Sequence, residues 1–117
     1  MSVVKKRVLV IERDPVILGL MSYLLERQSF QVDAVSSPED ALAMLGAENF
    51  DAVVLESDRN NLLSSIETIR PALIPRTVIV TGGRDGSQGK PVHAILRKPF
   101  EVTELAQAVA EAVRTRT

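Results

Sequence analysis

Five short runs rich in apolar residues alternate along the chain with longer segments whose apolar residues recur at helical spacing. The runs are RVLVI at 7–11, FQVDAV at 30–35, DAVVL at 51–55, TVIVT at 77–81 and HAILRKPF at 93–100. Short apolar runs bounded by polar residues are typical of strands that are covered on both faces, as in a parallel sheet. The pattern therefore predicts five strands.

The segments between these runs carry signals for the starts and ends of helices. Asp14 and Ser37 are each followed by proline, and we expect them to cap the first two helices at their N-termini. Gly46 is suited to end the second helix, and Pro71 to stop the third. The four predicted helices run from about residue 14 to 27, 37 to 46, 62 to 69 and 102 to 114.

The segment between the fourth and fifth strands departs from this alternation. Residues 82–91, GGRDGSQGKP, contain four glycines and one proline, which are poor helix formers. We expect the helix of this crossover to be lost or reduced to a turn. The other crossovers are helical, and right-handed connections between parallel strands place helices on both faces of the sheet. The sequence thus predicts a doubly wound α/β fold, with residues 1–117 as a single domain.

Composition narrows the classes of function. The 117 residues include 14 basic and 15 acidic side chains with no block of one sign, and the net charge is −1. The chain therefore lacks the excess of basic residues that is typical of proteins that bind nucleic acid or a membrane surface. The absence of cysteine excludes disulfides and thiolate chemistry. The N-terminal run VLVI is too short for a signal peptide or a membrane span, so we expect a cytoplasmic protein.

Candidate functional residues lie where the predicted strands end, because ligands of doubly wound sheets bind outside the carboxyl ends of the strands. Acids, bases and one hydroxyl gather there: Glu12, Arg13 and Asp14 after the first strand, Glu56 after the third, Thr81 at the end of the fourth, and Lys98 with Pro99 at the fifth. Asp14 is explained by helix capping. The others define a candidate pocket.

Four of these strand-end motifs, VLVIERDP, DAVVLE, VIVT and RKPF, resemble in order and approximate spacing the receiver domain of bacterial two-component response regulators. The resemblance covers nearly the whole chain. It implies a flavodoxin-like sheet of strand order 2-1-3-4-5 and a role in phosphorelay signal transduction. In typical members, an acidic pair and an aspartate bind magnesium, and that aspartate receives a phosphoryl group from a histidine kinase. By motif position, Thr81 and Lys98 match the residues that contact the phosphoryl oxygens, and a cis bond before Pro99 is implied.

The chain departs from the family pattern at its chemical positions. Arg13 stands in place of the second acid, and Glu56 in place of the phosphoacceptor aspartate. A guanidinium removes an oxygen ligand and repels a divalent cation, so we expect neither magnesium nor another cofactor. Glutamate is one methylene longer than aspartate, and a misplacement of about 1 Å can cost on the order of 100-fold in a positioned reaction. We therefore predict that Glu56 is not phosphorylated in the usual way.

The charges of the predicted pocket balance without a metal, since Glu12 and Glu56 face Arg13 and Lys98. We expect Arg13 or Lys98 to pair with Glu56 and to keep its carboxylate ionised. Replacing Arg13 by alanine is then expected to destabilise the fold by stranding that carboxylate. A further expectation is that the longer Glu56 side chain, reaching toward the phosphoryl position, holds the domain in an activated-like state.

The switching positions of the family are also changed. The aromatic switch three residues before the lysine falls on Ile95, and the proline that follows the phosphoacceptor falls on Asn60. The crossover helix that we expect to be lost belongs to a common dimerisation and output surface of the family. The geometry of partner binding is therefore not carried over from the resemblance.

These observations predict an atypical, non-phosphorylated receiver domain that acts by protein–protein interaction and is not an enzyme. We expect a protein partner, such as a histidine kinase or an output domain, and the sequence leaves a homodimer open. No output domain fits after the last predicted helix, so the chain is either a stand-alone receiver or part of a longer regulator.

Two alternatives remain from the sequence. One is a conventional magnesium-dependent receiver that takes phosphate on Glu56 or Asp58. The other is a nucleotide-binding enzyme of flavodoxin-like fold, because the glycine-rich loop faintly resembles a phosphate-binding loop. That match fails in detail, since five residues rather than four separate Gly83 from Gly89 and Pro91 stands where Ser or Thr is needed. His93 has no second ligand or nucleophile beside it in the sequence, and we assign it no chemistry.

Overall fold

The computed structural model describes residues 4–57, 61–83 and 85–115, and within them five parallel strands form one sheet of order β2-β1-β3-β4-β5. The strands are β1 (Arg7–Ile11), β2 (Gln31–Val35), β3 (Ala52–Glu56), β4 (Thr77–Thr81) and β5 (Ala94–Arg97). The helices of the same residues are α1 (Pro15–Arg27), α2 (Pro38–Ala47), α3 (Leu62–Ile69) and α4 (Val102–Ala112), with a 3₁₀ helix at Pro71–Arg76. The predicted flavodoxin-like α/β fold and its strand order are confirmed.

Helices cover both faces of the sheet, which explains why the central strands are unbroken apolar runs. On one face, α1 and α4 pack against alternate residues of β1, in a cluster that includes Val8, Val10, Met21, Leu25, Leu105 and Val109. On the other face, α2 and α3 pack against the intervening residues, in a cluster that includes Leu9, Ile11, Leu45, Leu63 and Ile66. Because strand side chains alternate between faces, both sets must be apolar.

The first two helices begin at the predicted caps. The Asp14 carboxylate accepts hydrogen bonds from the backbone N–H groups of Val16 (2.9 Å) and Ile17 (3.4 Å), and the Ser37 hydroxyl accepts one from Asp40 (3.1 Å). The prediction that Gly46 ends α2 was wrong by one residue, because Gly46 stays helical and α2 ends at Ala47.

In the described part of the chain, no helix is both long and apolar enough to cross a membrane.

The fifth strand is shorter than its run predicted. β5 pairs with β4 only from Ala94 to Arg97, and proline, which lacks an N–H donor, follows two residues later. Lys98 and Pro99 therefore lie just beyond the strand, joined by the cis peptide bond that the resemblance implied. β2 and β3 each begin one residue later than predicted, and β3 extends to Glu56, which is the last residue of the strand.

The described part of the crossover between β4 and β5 is a loop, as the glycine content of this segment predicted. Residues 82–83 and 85–93, which are its described part, contain no helix. Side chains anchor this loop on α3: the Lys90 ammonium lies 2.9 Å from the Glu67 carboxylate, and the Ser64 hydroxyl donates to the Gln88 side chain at 3.2 Å. Val92 then packs against the α2–α3 core cluster. The loop occupies part of the surface that a crossover helix would cover.

Gly86 brings this loop close to the end of β3, and its replacement tests that contact. Gly86 has a φ of +76°, and a Cβ there would lie 3.3 Å from the Ser57 Cβ and 3.4 Å from the Ile79 Cγ2. Gly89 has a similar φ of +75°, but a Cβ there would meet nothing within 4 Å. We expect Gly86→Ala to lower the free energy of unfolding by about 1 kcal/mol more than Gly89→Ala, because only the former crowds Ser57 and Ile79. Urea unfolding measures both variants, and equal losses would contradict the steric explanation.

Candidate functional site

A cleft of about 670 Å³ opens at the carboxyl ends of the strands and brings most of the predicted pocket residues together. It is lined by Glu12, Arg13, Asp14, Pro15, Ile17, Glu56 and Lys98. These residues meet because β1 lies beside β3 in parallel register, with Ile11 opposite Leu55, so that the polar residues after each strand share one edge. Lys98 reaches the same edge from beyond β5.

Lys98 contacts both carboxylates of the cleft. Its Nζ lies 3.4 Å from Glu12 Oε1 and 3.6 Å from Glu56 Oε2. The other oxygen of Glu56, Oε1, lies 3.4 Å from the Nε of Arg13. The sequence left open which of the two bases would pair with Glu56, and in the structure both do.

The Arg13–Glu56 and Lys98–Glu12 ion pairs differ in their exposure to solvent. The side chain of Arg13 is 56% exposed, whereas that of Glu12 is 0% exposed. Solvent screens the Arg13–Glu56 pair, and exposed pairs of this kind contribute about 0–1 kcal/mol. The contact of Lys98 with Glu12 is the more consequential one, because a fully buried carboxylate has little water to stabilise its charge.

Glu12 is the acid whose ionisation the fold disfavours. Burial raises the pKa of Glu12 above its ordinary value, opposed by the hydrogen bond that it accepts from the Asp14 N–H at 3.3 Å. The neighbouring Glu56 carboxylate raises the pKa further, and the Lys98 charge lowers it, with a net upward shift. The sequence placed both Glu12 and Glu56 in the pocket but did not show that Glu12 is the buried acid. The signal for its burial was its position directly after the buried run of β1.

Three other predicted site residues are not among the described residues that line the cleft. Thr81 is buried at the end of β4, where its hydroxyl accepts a hydrogen bond from the Gly83 N–H at 3.2 Å. Pro99 follows Lys98 through the cis bond, and Ile95 is half-buried against the α2–α3 core cluster. The alternative phosphoacceptor Asp58 and the Asn60 position lie outside the described residues.

The donor set of the cleft does not fit a magnesium ion. Magnesium prefers six oxygen ligands in a near-ideal octahedron, usually with carboxylates among them. Glu12 and Glu56 both contact the Lys98 ammonium instead, and the Arg13 guanidinium contacts the other oxygen of Glu56. Across residues 4–57, 61–83 and 85–115, no group of three or more His, Cys, Asp or Glu side chains is placed to hold a metal.

Glu12→Gln is expected to stabilise the fold at neutral pH, with a gain that shrinks on acidification. Because the pKa of Glu12 is raised in the folded protein, the folded state retains a proton that the unfolded chain loses. The stability of the natural chain therefore falls as pH rises from the ordinary pKa of 4.5 through the folded value, and glutamine removes this loss. Thermal melts between about pH 4 and pH 8 measure the difference. Glu26→Gln, at the exposed end of α1, is the control, and a Tm gain independent of pH would contradict the assignment.

Lys98 is expected to contribute more to stability than Arg13. Lys98→Met removes the ammonium from both carboxylates and should lower the free energy of unfolding by about 2 kcal/mol at neutral pH. Arg13→Ala should lower it by less than about 1 kcal/mol, because Arg13 is largely exposed and Lys98 still contacts Glu56. Chemical denaturation ranks the two variants. A larger loss of stability for Arg13→Ala would contradict this ranking. It would support the stabilising role that the sequence alone predicted for Arg13.

This chain matches known proteins by structure and not by sequence. No family model matches the chain, and no curated protein does. Among solved structures, a response regulator receiver protein from Sinorhizobium medicae WSM419 matches with 26% identity and a TM-score of 0.84, over 99% of this chain and 100% of that one. A CheY-like receiver domain protein from Methanospirillum hungatei JF-1 matches with 22% identity and a TM-score of 0.84, over 94% of each chain. An orphan response regulator of H. pylori matches with 20% identity and a TM-score of 0.80, over 93% of this chain and 97% of that one.

These structural similarities cover almost the full length of this chain and of each matched protein. They agree with the observed strand order, and the resemblance found in the sequence is confirmed. The chain has the fold of the CheY-like response regulator receiver domains.

Proposed function

We propose that this chain is an atypical receiver domain of two-component signal transduction, which binds a protein partner and is not phosphorylated in the usual way. Its structural neighbours, which are response regulator receiver domains, support the signalling role. The departure from usual phosphorylation rests on one observation, the placement of a basic side chain on each oxygen of Glu56.

This placement opposes phosphoryl transfer to Glu56 in two ways. An attacking carboxylate oxygen must approach phosphorus in line with the leaving group, and the charge on the phosphoryl oxygens must be neutralised as it moves. Both oxygens of Glu56 are already engaged by Arg13 and Lys98. The two bases are in turn neutralised by the acids that they contact, and the donor set does not fit the metal that would supply further positive charge. We therefore expect no cofactor.

A fixed charge network suits a binding module better than a switch. The four side chains, Glu12, Arg13, Glu56 and Lys98, balance one another without any added group. Ile95 stands at the position of the family's aromatic switch. It packs against the α2–α3 core cluster, and an isoleucine has no ring to rotate between two states. We propose that a protein partner, a histidine kinase or an output domain, recognises this permanent state and that the chain itself catalyses no reaction.

The nucleotide-binding alternative is not favoured by the path of the chain. A phosphate-binding loop opens directly into a helix, whose N-terminus holds the phosphates. The described residues of the glycine-rich loop lead into β5 and are anchored on α3 by Lys90 and Gln88. The conventional receiver is the stronger rival, and the experiment that follows separates it from the proposed function.

Intact-mass spectrometry after incubation with acetyl phosphate, with and without magnesium, tests the proposal. We expect the natural chain to gain no phosphoryl mass under either condition. We expect the double variant Arg13→Asp, Glu56→Asp to gain one phosphoryl group in the presence of magnesium, because it restores the acidic oxygens and the shorter acceptor. A magnesium-dependent gain by the natural chain would show a working phosphorylation switch and would overturn the proposal.

The matched control is Arg13→Asp, Glu56→Asn, which has the restored acid but lacks an acceptor carboxylate at position 56. Any phosphoryl mass on this control would come from another residue, and only the excess on the Asp variant reports position 56. A failure of both double variants to gain mass, with both shown to be folded by circular dichroism, would mean that features beyond these two side chains disarm the cleft.

A further inference from the structure

The outward face of α1 is apolar over most of its length. Val16 is 78% exposed, Leu20 is 54% exposed and Tyr23 is 57% exposed. Their spacing of four and three residues places them on one side of the helix, opposite the side that buries Met21 and Leu25. Single exposed apolar residues are ordinary on protein surfaces, but a contiguous apolar face on a helix is typical of an interaction site.

Gly19 lies in the middle of this face, and the packing of the domain does not require a glycine there. A Cβ at Gly19 would meet nothing within 4 Å. Glycine inside a helix is less stable than alanine, so its presence at an open position carries a cost. Where two helices cross, the distance between their axes depends on the side chains at the contact, and a missing side chain allows the closest approach. Gly19 is thus suited to the crossing point of a helix pair.

The two ends of this face carry opposite charge. At the N-terminal end, Glu12 and Glu56 balance Arg13 and Lys98, and the exposed carboxylate of Asp14 leaves a net negative charge. At the C-terminal end, three bases stand against one acid: Arg27 and Glu26 in the last turn, with Lys5 and Lys6, which line a small pocket together with Ser29 and Phe30. A face with an apolar centre, one acidic end and one basic end is complementary to its own copy turned end for end.

We propose that this face of α1 is a homodimer interface, in which α1 of a second copy crosses it in antiparallel orientation near Gly19. The contact is isologous, because the same residues meet on both copies. Val16, Leu20 and Tyr23 form its apolar centre, and Arg27 of each copy approaches the acidic end of the other. Antiparallel helices also place opposite ends of their dipoles together.

The expected dimer is reversible. α1 has 13 residues and is therefore about 20 Å long, so one helix pair buries an area at the small end of specific interfaces. The Arg27 guanidinium lies 5.8 Å from the ring centre of Tyr23, within reach of a cation–π contact on this face. We expect a dissociation constant on the order of 10 μM at low salt.

Sedimentation equilibrium of the full chain between about 1 and 500 μM tests the interface. We expect the natural chain to dimerise and Leu20→Glu to raise the dissociation constant at least about 100-fold, because it places a charge in the apolar centre. Ile69→Glu is the matched control. Ile69 is also an exposed apolar helix residue, but α3 lies on the opposite face of the sheet, so its dissociation constant should stay within about twofold.

Two further variants separate loss of the interface from loss of the fold. Gly19→Leu should raise the Tm of the monomer, since leucine is the better helix former, while it raises the dissociation constant at least about tenfold. Arg27→Glu should weaken the dimer most at low salt and reduce its salt dependence. A natural chain that stays monomeric at every concentration would leave the face to a helix of another protein and would overturn the proposal. Equal weakening by Ile69→Glu and Leu20→Glu would overturn it as well.

Discussion

The contact of one ammonium group with two carboxylates holds the functional edge of this fold together. Lys98 is 86 residues from Glu12 along the chain, yet its Nζ bridges the ends of β1 and β3 from beyond β5. Glu12 is fully buried, so its charge is tolerated only with such a partner nearby. The position of β5, the acid pair and the shape of the cleft are therefore coupled through this one side chain.

Under the proposed function, fixed side chains take the place of a mobile ion. A metal ion can leave or be exchanged, and a phosphoryl group can be added or hydrolysed, but Arg13 and Lys98 remain bonded to the chain. The cost is a buried acid whose pKa is raised, and the gain that we propose is a cleft whose charge does not depend on magnesium. Under the proposed function, regulation must then act through the amount of the protein or the availability of its partner.

The sequence predicted the fold well because the signals that define it are local. Apolar runs, the caps at Asp14 and Ser37 and the glycine content of the last crossover each act within a few residues. The burial of Glu12 was not predicted, since it depends on how neighbouring strands enclose the side chain. Nor was the exposed face of α1: Val16 and Leu20 continue the apolar helical spacing of the core residues, and only the docked helix shows which side faces solvent.

The loop that replaces the crossover helix changes how the edge of the sheet can open. β5 has four residues, of which three are half-buried and one exposed, and side-chain contacts on α3 hold the loop that leads into it. Such an edge opens at a lower free energy than the central strands, in a local event that leaves the rest of the domain folded. Because Lys98 follows β5 directly, each opening would also withdraw the ammonium from Glu12. Opening of this edge and protonation of the buried acid are therefore linked equilibria, and each favours the other.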